Sequence, residues 1–323
     1  MKAAVYYRTG PPSVFQYEEV PDPVVRPRGI VFKVEAISIE GGDVLHRAGG
    51  ELVGTPHIVG YQAAGTIVAV GEAVTDRFVG QKVVATMPNG SHAEYASVPS
   101  IASYVVPDDA DIQAIACVPV AFGTADDCLF EFGHLVRGET VLVQAGAGGV
   151  GLAAVQLAKR AGATVLATAS TDERLERLRE YGMDYGINYV DKNLAGEAFR
   201  LTEGRGIDLV VDPVGGKTLE GSVAALRYRG RITWVGNAGR EEALPDVRGI
   251  MQKNASITGV YLGAEFAQNP ARTRPLIEGL IADVARGDLK VAIDSTFPLS
   301  EAAAAHAHIE SRQAFGRVVL VVP

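Results

Sequence analysis

Up to about residue 120 the apolar positions come in short runs separated by turn residues. Ile30–Ala36 carries period-two character and Ala64–Gly71 is an apolar run closed by glycines, with Lys82–Ala85 and Ala93–Val98 continuing the pattern. Strands at such short spacing predict a barrel-like β domain. The texture changes at Val141. From there to about Val260, apolar strands at 141–145, 164–169, 186–189, 208–212, 230–235 and 256–260 alternate with helical stretches. Continuous apolar runs mark parallel strands buried on both faces, and helical crossovers between them predict a doubly wound sheet. The segment 111–133 reads as helical and bridging. After Leu262 the pattern predicts a helix at Arg272–Arg286, a short one at Glu301–Ile309 and a last strand at Arg317–Val322. A lone last strand needs a host sheet, and the N-terminal β domain is the expected one. There is no internal repeat, low-complexity tract or long linker.

The 323 residues amount to two domains at roughly 150 residues each. The 30 Lys+Arg against 38 Asp+Glu leave a net charge of −8, which argues against binding nucleic acid by bulk phosphate neutralisation. With 47% hydrophobic and 21% charged residues the chain can bury large cores. Its 2 cysteines, Cys117 and Cys128, exclude a disulfide framework and a thiolate zinc lobe. Met1–Arg8 lacks the apolar run of a signal peptide, and no stretch reaches a membrane span of about 18 apolar residues. A soluble, cytoplasmic protein is expected, with no membrane or nucleic-acid partner.

In a chain with 37 glycines a glycine motif means little without context. Gly146-Ala147-Gly148-Gly149-Val150-Gly151 fits G-x-G-x-x-G, and here the context is present: a strand precedes it and the helical stretch Leu152–Arg160 follows, with Gly162 as the expected C-cap. The first glycine permits a tight turn, the second lets the backbone approach a pyrophosphate, and the third packs helix against strand. The helix N-terminus then offers unpaired N–H groups to phosphates. A tight β–α turn without ligand is the plainer alternative.

NAD enzymes place an acid at the end of the second strand to grip the ribose hydroxyls. Here that strand ends in Ala169-Ser170, and the first acids, Asp172 and Glu173, come late. They fit a helix N-terminus, with Ser170 and Glu173 spaced as a capping box. The missing acid, with Arg174 close by, favours a 2′-phosphate and hence NADPH, a solvated helix residue being the plainer reading of Arg174.

Gln144–Gly151 followed by Ala154–Lys159 closely resembles the cofactor turn of the medium-chain dehydrogenase/reductase superfamily, in its quinone oxidoreductase (zeta-crystallin-like) branch. Pro119–Ala125, Gly60-Tyr61-Gln62-Ala63-Ala64-Gly65 and Glu310-Ser311-Arg312 extend the resemblance over essentially the whole chain. It implies an α/β protein with a GroES-like β-barrel catalytic domain, residues 1–120 completed by 262–323. A Rossmann cofactor domain of doubly wound parallel sheet would take 121–261, with the active site in the cleft between the two. It implies hydride transfer from NADPH to a quinone or to an α,β-unsaturated carbonyl. A ketone reductase and a non-enzymatic, crystallin-like NADPH-binding protein are the alternatives. By the same resemblance Arg174, Tyr189 and Arg312 surround the 2′-phosphate, joined by Ser170, and Thr124 bonds the nicotinamide ribose or carboxamide, a helix N-cap being its plainer role. Val214, Gly236 and Asn237, at carboxyl ends of parallel strands, line the cofactor crevice.

Catalytic zinc needs three ligands from Cys, His or acid. Where the superfamily's zinc enzymes carry a cysteine this chain has Glu40. At the histidine it has Tyr61, then Gln62, and the third region, around Val118, is apolar. No metal is expected. Glu40 also departs from the branch's usual Asn, and a carboxylate accepts where an amide also donates. It is either a protonated donor in the reaction or, the preferred reading, bonds backbone N–H groups with Asp43 in a glycine-rich turn. Glu40, Tyr61 and Thr124 are the catalytic candidates. His46, His57, His92, His134, His306 and His308 show no ligand spacing and read as isolated, and Asp126-Asp127 reads as a solvated or helix N-terminal pair. Ala255–Tyr261 should be an apolar edge strand, and the resemblance implies a homodimer through it.

Overall fold

The computed structural model describes residues 1–241 and 243–322. In chain order the strands are β1 (Lys2–Val5), β2 (Gln16–Glu19), β3 (Gly29–Ser38), β4 (Gln62–Val70), β5 (Lys82–Thr86), β6 (Tyr95–Pro99) and β7 (Ser103–Val105). Next come β8 (Thr140–Val143), β9 (Thr164–Ala169), β10 (Tyr185–Asn188), β11 (Ile207–Asp212), β12 (Leu226–Trp234) and β13 (Ser256–Gly259), and last β14 (Ile293–Pro298) and β15 (Arg317–Val321). The chain divides into two compact units, Met1–Val120 with the chain from Pro270 onward, and Ala121–Asn269. Residues 262–269, which the sequence reading assigns to the catalytic domain, fall in the second unit.

In the first unit the strands run in the order β14-β15-β3-β4-β5-β7, with β6 also paired to β3. The last strand does find its host: β15 lies antiparallel to β3 and parallel to β14. Inward side chains of these strands build one core, including Ile30, Phe32, Val34, Ile67 and Val83, which Leu299, Ala305, Val318 and Leu320 from the end of the chain complete. β1, β2, β7, β14 and the helix Gly41–Gly49 escape the pattern reading, and two of them show why. β14 mixes Asp, Ser and Thr with one Phe and is half-exposed throughout, so its apolar period is faint. The helix Gly41–Gly49 begins on two glycines, the poorest helix formers after proline.

In the second unit the order is β10-β9-β8-β11-β12-β13, every pair parallel. β8 and β11 are buried along their whole length, as strands covered on both faces must be. The chain runs outward from β8 to β10 and then crosses to β11 on the other side. The switch point of the sheet therefore lies between β8 and β11, where such folds take ligands at the carboxyl ends. β13 is one edge of this sheet and β10 the other. The bridging segment forms three pieces, Ile112–Ala116, Val118–Asp126 and a π-helical turn at Asp127–Glu131. Among the described residues no helix is long and apolar enough to cross a membrane.

Candidate active site

β8 delivers the chain into the glycine turn, and the helix Gly149–Arg160 leaves it with Gly148 as N-cap. The left-handed residue of this turn is Ala145, at φ +50, and not one of the glycines. The glycines are needed for clearance: a Cβ on Gly151 would stand 2.3 Å from the Ala145 carbonyl oxygen, and one on Gly146 2.9 Å from the Ala167 Cβ. The helix's first N–H groups, unpaired within the helix, give the turn its capacity for a pyrophosphate. Ala147, Gly149 and Val150 belong to the same turn and first helical residues.

At the end of β9 the capping assignment needs correction. Thr171, not Ser170, caps the helix Asp172–Arg179, its side chain accepting the Arg174 N–H. Ser170 is thereby released, and its hydroxyl accepts from the Arg174 guanidinium at 3.2 Å. Asp172, the nearest acid, accepts from Asn188 Nδ2 at 3.1 Å. The structure thus brings Ser170 and Arg174 together. Exposed Tyr189 follows the end of β10, its N–H on the Ala169 carbonyl. Arg312 belongs to the first unit, in a left-handed turn after the helix Ala302–Glu310.

Beyond β11 and β12, Gly239 N–H donates to the Val214 carbonyl and Asn237 Nδ2 to the Glu241 carbonyl, so that Val214, Gly236 and Asn237 lie in two mutually bonded loops. Thr124 is buried inside the helix Val118–Asp126 and is no N-cap. Asp127 is buried in the π-helical turn, which overturns the solvated reading.

In the first unit Glu40 is buried and forms a capping box with Asp43, its side chain on the Asp43 N–H, as the preferred reading expects, and it has side-chain partners as well. Its Oε1 accepts from Gln62 Nε2 at 2.6 Å, from Ser38 Oγ at 3.2 Å and from the Arg317 guanidinium in an ion pair. Asp43 does take the backbone role expected of it, accepting the Glu40 N–H at 2.8 Å. Burial pushes Asp43 well above the usual carboxylate range. Gln62 spends its other amide atom on the Val120 N–H at 3.0 Å. Half-buried Tyr61 lies on Gly42, where a Cβ would stand 2.4 Å from the ring. Burial pushes the Cys117 thiol up to about 11, so it is no nucleophile. Arg317 escaped notice in the sequence, although a charge heading the apolar run Arg-Val-Val-Leu-Val was a signal that it needed a buried partner. Among the described residues no three His, Cys, Asp or Glu side chains gather as a metal site. With Glu40 committed to Arg317, the Glu40–Tyr61–Val118 set does not fit zinc.

Four of the six histidines meet in pairs. His92 and His306, both fully buried, meet Nε2 to Nε2 at 3.1 Å, and His46 stacks on His57 with centroids 4.8 Å apart.

Residues 26–108 match the family described as alcohol dehydrogenase GroES-like domain, and residues 149–280 that described as zinc-binding dehydrogenase. A 2-haloacrylate reductase from a Burkholderia species is 34% identical over 328 residues, covering 99% of this chain and 98% of that protein. A quinone oxidoreductase from Pseudomonas aeruginosa is 32% identical, covering 97% of each. Among solved structures, a mycobacterial protein complexed with NADPH has a TM-score of 0.93 and 31% identity, covering 99% of this chain and 100% of that one. Similar to such relatives from end to end, the chain belongs to the medium-chain dehydrogenase/reductase superfamily of oxidoreductases, among its quinone oxidoreductases.

Proposed function

We propose that this chain is an NADPH-dependent, zinc-independent reductase of quinones or α,β-unsaturated carbonyls. The observation that carries the cofactor choice is the end of β9. There Ser170 and Arg174 present a hydroxyl and a guanidinium, and the nearest carboxylate is bonded to Asn188. A carboxylate at that place would repel a 2′-phosphate, whereas a guanidinium binds it with charge-assisted bonds. The N-terminus of the helix Gly149–Arg160 suits the pyrophosphate, and the loops holding Val214, Gly236 and Asn237 suit the nicotinamide half, together with Thr124. Tyr189, just after β10, is assigned to the same phosphate, and so, by the resemblance alone, is Arg312.

The relatives' names support the substrate class: haloacrylates and quinones share an electron-poor carbon–carbon double bond conjugated to a carbonyl. Bound NADPH supplies a hydride. Reduction of such a bond also consumes one proton, which water supplies in this reading. Glu40 is not assigned this proton, because Arg317, Gln62 and Ser38 converge on its Oε1. Its role is to fix Gln62 and the start of the helix Gly41–Gly49, beside which Tyr61 packs.

The protein works as a homodimer in this reading. β13 is a free edge, and Tyr261, 75% exposed, and Met251, 71% exposed, stand near it. Apolar edges of this kind invite a second copy.

The test is NADPH oxidation against a panel of quinones, enones and ketones, with zinc content measured on the same preparation. Turnover of quinones or enones by metal-free protein is expected. Turnover of ketones alone, activity lost on chelation, or tight NADPH binding with no turnover of any acceptor would each overturn the reading.

A further inference from the structure

Beneath the glycine turn four buried polar side chains form one connected chain. Ala145 N–H donates to Thr168 Oγ1 at 3.0 Å, and the Thr168 hydroxyl donates to Gln144 Oε1 at 2.9 Å. Gln144 Nε2 donates to Ser222 Oγ at 3.0 Å, and the Ser222 hydroxyl to Asp212 Oδ2 at 2.7 Å. The other Asp212 oxygen accepts the N–H groups of Val214 and Gly215, both at 2.9 Å. None of the four side chains exceeds 2% exposure.

The direction of every bond follows from one end. A carboxylate only accepts, so Ser222 must donate to it; Ser222 then accepts from the Gln144 amide, whose oxygen is left for Thr168. The Thr168 oxygen is in turn left for a donor, and that donor is Ala145 N–H. Ala145 is the one residue of the turn in the left-handed region, at φ +50, a conformation that is unfavourable for a non-glycine residue. The network therefore clamps the turn at its strained entry. At its other end it clamps the 213–215 segment after β11. A polar chain in the middle of a parallel sheet is no more stable than well-packed apolar side chains would be, so its retention points to placement and not to stability.

We propose that Thr168, Gln144, Ser222 and Asp212 are positioning residues. They lock the phosphate turn and the segment after β11 into one fixed arrangement that receives the dinucleotide. This rests on the reading of the chain as an NADPH enzyme. The pyrophosphate end of the cofactor depends on the lock, whereas the 2′-phosphate end, held by Ser170 and Arg174, does not.

Binding of NADPH and of adenosine 2′-monophosphate, which lacks the pyrophosphate, is measured on wild type, Thr168→Val, Thr168→Ser and Ser222→Ala. Thr168→Val keeps the shape and removes the hydroxyl. It is expected to weaken NADPH by about tenfold, the value of one buried hydrogen bond, and to leave adenosine 2′-monophosphate within about twofold. Thr168→Ser restores NADPH binding, and Ser222→Ala repeats the Thr168→Val pattern from the other end, serving alone should the valine variant not fold. Unchanged NADPH affinity in both hydroxyl-deleted variants, or equal losses for both ligands, overturns the inference while the proposed function stands. A wild type that does not bind NADPH overturns the proposed function itself.

Discussion

Arg317, at the head of the C-terminal strand, forms a buried ion pair with Glu40, 277 residues earlier in the chain. The pair explains why a carboxylate can occupy a position where the branch usually has Asn. The guanidinium also donates to Ser38 Oγ and the Ile39 carbonyl. Each charge of the pair thus faces the other and polar neighbours in the interior.

Breaking such a pair from one side leaves a buried charge uncompensated. Arg317→Met should cost about 3–5 kcal/mol of stability. The double variant Arg317→Met with Glu40→Gln should recover much of that loss, because no bare charge remains. Denaturant unfolding of the single and double variants measures the coupling, and strictly additive losses would refute it.

Glu40→Gln alone keeps an acceptor for Gln62 and Ser38. Turnover should change by at most about tenfold, equal to roughly 1.4 kcal/mol. A fall of 10²–10⁴-fold, the usual scale of general acid catalysis, with the fold intact by circular dichroism, would make Glu40 the proton donor after all.

Arg174→Ala should weaken NADPH by about one to two decades, since a bond to a charged group contributes roughly 1.5–3 kcal/mol. NADH, lacking the phosphate, should be bound as before. Equal losses for the two cofactors would show that Arg174 supports the helix Asp172–Arg179 instead.

The buried histidine pair makes stability depend on pH. Burial pushes His92 down to about 3 and His306 well below its ordinary value. The folded protein thus keeps both neutral, while the unfolded chain takes up protons below about pH 6.5. The unfolded state then binds more protons, so stability is complete above that pH and falls below it. The slope approaches about 1.4 kcal/mol per pH unit for each histidine until its folded-state value is reached. Unfolding measured from pH 7 to pH 5 on wild type and on His92→Leu/His306→Leu tests this. An identical slope in the variant would exclude the pair as its source.

The doubly wound sheet was legible because β8, β9 and β11 are buried on both faces and read as unbroken apolar runs. The phosphate turn was legible because its glycines stand between strand and helix. The roles inside the turn were not, since clearance at Gly146 and Gly151 and the left-handed Ala145 depend on neighbours that spacing does not reveal. Ser170 and Thr171 are equally good caps on paper, and only the backbone path at the end of β9 decides between them. Arg317, Ser222 and the His92–His306 contact were illegible for a common reason. Each depends on a partner tens to hundreds of residues away, and one sequence gives no register between such distant segments.

The strand that receives Glu40's partner also sets a timetable. β15 lies inside its sheet, between β14 and β3, and is synthesised long after β3. Ala121–Asn269 is continuous and can close on itself during synthesis, whereas in the first unit the Ala36–Ser38 end of β3, beyond the stretch that β6 pairs, waits for β15. Ending the chain after Gly316 should therefore leave a protease-resistant core from about residue 121 to 269 and expose the first 120 residues to cleavage. Until β15 arrives, that end of β3 is an open strand edge exposed to aggregation.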